Sequence, residues 1–236
     1  MARKLEWNDV LDVLRDADAI PYRVLLWGPP GTGKSTWPTL NHATVYRVAL
    51  HEEIDPAELV GTWALKDGST EWCDGPAALA MREGVPLVLD EIDKASGCLS
   101  SLLHALLDDP SIAQITLPDG STVRPREGFQ VYATTNADPT TLPDAILDRF
   151  RGGLILHCPH PHPQAVDALP KDVRSLVTNF YANMTPPKIE SGITYRAVAA
   201  FSALRSALGS EDAARAVFGD RGPDVLQSIV ASQVQP

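Results

Sequence analysis

Eight residues, GPPGTGKS from Gly28 to Ser35, combine the groups that a polyphosphate needs. Glycines let a loop wrap closely, so that backbone N–H groups and the start of a following helix can point at phosphate oxygens. The spacing G-x-x-x-x-G-K-[ST] directs Lys34 to the β and γ phosphates of ATP and Ser35 to Mg²⁺. The nucleotide-contacting set expected here is Gly28, Pro29, Pro30, Gly31, Thr32, Gly33, Lys34, Ser35 and Thr36. Further on, PLVLDEID (86–93) ends an apolar run with two carboxylates. Neighbouring side chains at a strand end point in different directions and can take different tasks. Asp90 suits the Mg²⁺ shell, and Glu91 suits orienting or deprotonating an attacking water. VYATTN closes on Asn136, an amide able to hold that water near the γ-phosphate. The plainer readings are a chance Gly-rich turn, a solvated acidic strand end and a turn cap ahead of ADPTTLP.

Such residues need rigid elements to present them. YRVLLW (22–27) reads as an apolar strand feeding the phosphate loop, with a helix starting at Gly33. Pro38 would fall beyond the first turn of that helix and shorten or bend it. Further strands are expected at 43–50, 85–91, 129–136 and 152–158. Several are continuous apolar runs, as in strands covered on both faces, so the expected fold class is α/β, a sandwich around a parallel sheet. DGPAALAMREG and CLSSLLHALLDD have helical spacing, as does KLEWNDVLDVLRDA near the N-terminus. After Cys158 the proline-rich PHPHPQAVDALP gives way to helical patterns at 193–208 and 223–234. A boundary near residue 160 therefore separates a core, 1–159, from a small helical domain, 160–236.

Composition narrows the function. Thirty Asp and Glu against twenty Lys and Arg leave a net charge of −10, which argues against a surface built to coat nucleic acid. Three well-separated cysteines do not suggest a disulfide framework, and no apolar run is long enough to span a membrane. A cytoplasmic, soluble protein without membrane contact is expected.

The order of motifs resembles that of the AAA+ ATPases. DPAELVGTW, CDGPAALAMREGVPLVLDEIDKA, LLHALLDD and LPDAILDRF together look like the MoxR and dynein-related branch, over about residues 20 to 158. The resemblance implies a P-loop NTPase three-layer core followed by a small helical lid, with Walker A and Walker B motifs at Gly28–Thr36 and Asp90–Glu91. It implies Mg-dependent ATP hydrolysis in a homo-oligomeric ring, typically a hexamer. Arg149, in the DRF position, is implied to be an arginine finger for the ATP of the next subunit. The alternative is an ordinary ion pair with Asp144 or Asp148. SGITYRAVAAF is similar to the lid-helix motif of the branch, which implies that Arg196 contacts the γ-phosphate and that Thr194 caps the helix.

Two Asp-Gly turns, in WALKDGSTEW and QITLPDGSTVRPR, signal hairpins. They resemble the branch's two insertions, which face a ring pore or its substrate; Lys66, Asp67, Pro118 and Asp119 would lie at the tips. Trp63 and Trp72 suit a cross-strand pair. His157, Cys158, His160 and His162 do not match zinc spacing, and a strand end followed by a stiff linker accounts for them. Relatives of this kind act as chaperones on protein clients, frequently with a von Willebrand A-type partner. With only about twenty residues before the first strand, client choice is expected in the hairpins, the lid or an adaptor. A nucleic-acid-directed motor, with Arg124 and Arg126 lining a basic pore, and an ATP-switched assembly scaffold are the rival readings.

Overall fold

The computed structural model describes residues 7–182 and 194–233. Helix α1 (Trp7–Asp16) precedes β1 (Arg23–Trp27), α2 (Thr36–Asn41), β2 (Tyr46–Ala49) and α3 (Pro56–Val60). Hairpin β3 (Gly61–Lys66) and β4 (Ser69–Asp74) leads to α4 (Pro76–Glu83), β5 (Leu87–Asp90) and α5 (Ser100–Leu106). A short hairpin, β6 (Ile115–Thr116) and β7 (Thr122–Val123), is followed by β8 (Val131–Thr135), α6 (Asp144–Arg151) and β9 (Leu154–His157). The rest is helical: α7 (Pro163–Asp167), α8 (Lys171–Ala182), α9 (Tyr195–Leu208), α10 (Ser210–Phe218) and α11 (Gly222–Gln233).

Five of these strands form one parallel sheet in the order β2-β5-β8-β1-β9. They are the five apolar runs expected, and β5 and β8 are buried at every position. Alternation sorts their side chains onto two faces. Leu25, Leu87, Leu89, Val131 and Ala133 pack with Met81, Leu103, Leu106 and Phe150 on one side. Tyr132, on the other face, meets the Trp37 ring of α2 at 6.0 Å, and the Trp37 indole N–H donates to Asp12 of α1. Helices thus cover both faces, and a parallel sheet requires that cover because its connections are themselves helices.

Helix α2 departs from expectation: it starts at Thr36, not Gly33. Gly31 and Gly33 have φ of +79° and +96°, outside the right-handed helical region, so the turn must be completed before the helix begins. Pro38 consequently lies in the first turn, where an N–H has no intrahelical partner to lose. Elsewhere local rules hold. Asp55 and Glu58 form a capping box on α3, Pro76 opens α4 and Gly84 closes it in the left-handed region. The first hairpin turns on Asp67 and Gly68, both at positive φ as a two-residue primed turn requires. Across it Trp63 faces Trp72 edge to face at 5.5 Å.

The chain divides into two compact units: Met1–Gly28 with Lys34–His157, and Pro29–Gly33 with Cys158–Pro236. The second has its own core, in which Val173, Val177, Val198, Phe201, Ala213 and Val225 are buried together. Thr194 caps α9 there, accepting from the Ala197 N–H at 3.2 Å.

Candidate functional site

Register brings the polar residues together. In the parallel ladder Leu87, Val88 and Leu89 stand beside Val131, Tyr132 and Ala133, which places Asp90 next to Thr134 at the strand ends. Thr134 in turn pairs with Leu26, one residue before β1 ends and two before Gly28. The carboxyl ends of β5, β8 and β1 therefore lie side by side, the position where open α/β sheets bind their ligands.

Asp90 is 5% exposed and its carboxylate is fully engaged. Oδ1 accepts from Ser35 Oγ and, at 2.8 Å, from Thr134 Oγ1, while Oδ2 accepts from Arg47 Nε. Burying a carboxylate without such donors would be costly. Lys34, 6% exposed, donates from Nζ to the Gly28 carbonyl at 2.8 Å and to Asn136 Oδ1 at 3.0 Å. Gly28 is tied to the same strand end, its N–H donating to the Thr135 carbonyl at 3.2 Å. Lys34, Ser35, Asp90 and Asn136 are thus linked through the ends of neighbouring strands. A carboxylate and a hydroxyl are hard oxygen donors of the kind that hold Mg²⁺ together with substrate phosphates, so Asp90 and Ser35 fit that ion.

Glu91 follows in the left-handed region at φ +58°, a conformation uncommon for non-glycine residues. Its carboxylate accepts from Lys94 Nζ at 2.6 Å. That bond holds the exposed Lys94 ammonium above its ordinary pKa. The Glu91 N–H donates to Thr134 Oγ1 at 3.3 Å, so one threonine fixes both acidic residues.

The remaining phosphate-loop residues belong to the second unit. Thr32 is buried and donates to the Pro29 carbonyl at 3.2 Å. Tyr181 donates from its hydroxyl to the Pro30 carbonyl at 2.9 Å and accepts from the Tyr195 N–H at 3.3 Å. Burial raises the Tyr181 pKa, which keeps the phenol protonated and able to donate. Thr36 is exposed at the start of α2, and Arg196 is exposed in the first turn of α9. The preceding SGI residues of its motif lie outside the described residues.

Arg149 stands apart from this cluster. Its guanidinium contacts Asp108 Oδ1 from Nε at 3.1 Å and from Nη2 at 3.0 Å, and donates to the Ala145 carbonyl at 2.9 Å. The expected alternatives, Asp144 and Asp148, are not its ion-pair partners. His157 stacks on Trp27 at 4.0 Å. Arg47, Thr134, Asp108 and Tyr181 were not singled out by sequence. For Arg47 and Thr134 the period-two register was the available signal; for the other two there was none.

A parallel sheet with a lysine-bearing glycine loop and an acid at the neighbouring strand ends defines a P-loop nucleotide-binding domain of AAA type. Residues 23–150 match the family described as "AAA domain (dynein-related subfamily)", and the chain belongs to this MoxR and dynein-related branch of the AAA+ ATPases. It is 36% identical over 136 residues to Protein NorQ of Paracoccus denitrificans (strain Pd 1222), covering 56% of this chain and 50% of NorQ. Denitrification regulatory protein NirQ of Stutzerimonas stutzeri is 37% identical over 119 residues, covering 48% of this chain and 42% of NirQ. Protein CbbQ of Hydrogenophilus thermoluteolus is 32% identical over 124 residues, covering 51% and 45%. The chain spans about half the length of these curated relatives. Among the described residues no helix is long and apolar enough to cross a membrane.

Proposed function

We propose that this chain hydrolyses Mg·ATP at sites shared between neighbouring copies in a ring, hexameric by family resemblance, and uses the cycle to remodel or activate a protein client. The observation that carries this reading is the linkage of Lys34, Ser35, Asp90 and Asn136 at adjoining strand ends. Lys34 binds the β and γ phosphates, exchanging its bonds to Gly28 and Asn136 for phosphate oxygens. Ser35 and Asp90 hold Mg²⁺, which supplies charge neutralisation on the phosphates when bound. Glu91 takes the proton of the attacking water, and Asn136 orients that water.

Arg149 is assigned to the transition-state charge of a neighbour's ATP, since its own bonds run to Asp108 and Ala145 rather than to the phosphate-binding cluster. Arg196 is assigned to the γ-phosphate. We assign residues 1–159 to the nucleotide-binding core and 160–236 to a helical lid. The relative called a denitrification regulatory protein is consistent with a client-directed role, as are the exposed Trp63 and Leu65 on the first hairpin. A von Willebrand A-type adaptor is a partner of the kind this reading calls for.

The test is ATP turnover per subunit against protein concentration, for the native chain and Arg149→Ala, with nucleotide binding followed separately. Turnover that rises with concentration, and a variant that binds but hardly hydrolyses, support the shared site. Flat turnover and a fully active variant reject it.

A further inference from the structure

The Asp90 carboxylate has a partner that the phosphate-loop chemistry does not call for. Ala49 of the edge strand β2 stands beside Asp90 in the ladder, and Arg47, two residues earlier, projects from the same face. From there its Nε reaches Asp90 Oδ2, the oxygen not used by Ser35 and Thr134. The two ends of this pair differ in environment: the Asp90 side chain is 7% exposed and that of Arg47 is 51% exposed. The arginine brings a positive charge to a nearly buried carboxylate while keeping access to water.

We propose that Arg47 is the resident counter-charge of Asp90 and weakens the hold of the Asp90–Ser35 corner on a lone divalent cation, so that the cation is retained only together with a polyphosphate. This rests on the reading of Asp90 as the metal-holding carboxylate. A guanidinium and a divalent cation brought to one carboxylate repel each other, and the low exposure of Asp90 limits the screening of that repulsion. Phosphate oxygens add the negative charge that outweighs it. Without Arg47 the same corner would present an unbalanced carboxylate and capture the metal by itself.

The probe is Mg²⁺ alone, titrated calorimetrically into the nucleotide-free chain, with circular dichroism confirming the fold of each variant. Arg47→Gln is expected to bind Mg²⁺ about tenfold more tightly than the native chain. Arg47→Met, a second neutral replacement, should behave alike, Arg47→Lys should stay near native, and adding Asp90→Asn to Arg47→Gln should abolish the gain. Neutral variants that bind Mg²⁺ no more tightly than native, or a lysine variant that gains as much as they do, overturn the proposal. Mg·ATP affinity of Asp90→Asn separates the two failures: if it drops, Asp90 holds the metal and only the role of Arg47 falls. If it matches native, the reading of Asp90 falls as well.

Discussion

Arg149 and Asp108 form a two-point ion pair, Nε and Nη2 both on Oδ1, that joins α6 to the segment following α5. On the proposal that Arg149 serves a neighbour's ATP its guanidinium has to be aimed, and its bonds to Asp108 and the Ala145 carbonyl would fix that aim. Arg149→Ala should bind ATP normally and lose turnover by about a thousandfold or more. Asp108→Asn, which keeps the arginine but removes the charge of the ion pair, should lose about tenfold, with Asp108→Glu recovering most of it. Steady-state turnover beside nucleotide-binding titration checks both.

Lys34, Glu91 and Asn136 should separate binding from chemistry. Lys34→Ala removes the ammonium proposed to meet the phosphates and should abolish ATP binding. Glu91→Gln and Asn136→Ala should bind ATP and turn it over at least about a hundredfold more slowly. Single-turnover kinetics at saturating nucleotide distinguish the two groups, and a Glu91→Gln variant of native rate would remove Glu91 from the mechanism.

Gly31 and Tyr181 offer a stability test within the second unit. An added Cβ at Gly31 would stand 3.1 Å from the Tyr181 hydroxyl, on a backbone at φ +79°. Gly31→Ala should cost about 1–2 kcal/mol from the backbone alone. Tyr181→Phe leaves the Pro30 carbonyl and the Tyr195 N–H without this partner and should cost about 1–2 kcal/mol. Denaturant midpoints of the two variants check this.

The first hairpin should divide its residues by role. Trp63 and Trp72 pack on each other, so Trp72→Ala should lower the melting temperature. Leu65 is 79% exposed, and Leu65→Ser should leave melting and basal turnover unchanged while weakening client engagement. Loss of stability in Leu65→Ser would contradict this division.

Asp172 and Arg205 should give the helical unit an acid-sensitive brace. The hydrogen bond from Arg205 holds the Asp172 carboxyl below its ordinary value of 3.8. A carboxyl lowered by folding contributes stability above its unfolded pKa and loses it as pH falls through the folded one. Arg205→Met should therefore cost about 1 kcal/mol near neutrality, a difference that shrinks as pH drops below about 4. Urea melts across that range measure it.

The sheet was legible because strands covered on both faces announce themselves as unbroken apolar runs, such as VLLW and PLVL. The first hairpin was legible through Asp67-Gly68, since few sequences satisfy two consecutive positive φ values. The start of helix α2 is not legible, because a glycine-rich loop leaves few marks where turning ends and winding begins. Local spacing offers Arg149 only the acids of its own helix, yet its carboxylate lies 41 residues earlier in the chain. Arg47 reaches Asp90 across 43 residues, a contact created by strand order and not by local spacing.

Strand β1 lies between β8 and β9, pairing Arg23 with Val131 and Val24 with Leu154. On the ribosome, then, the strand that leads into the phosphate loop emerges first and finds its neighbours last. RVLLW gains its first neighbour only when β8 emerges and its second only with β9, and long-range pairing of this kind is slow and exposed to aggregation. A truncation just before β9 leaves one edge of β1 without its strand partner and should yield insoluble protein, not a weaker ATPase.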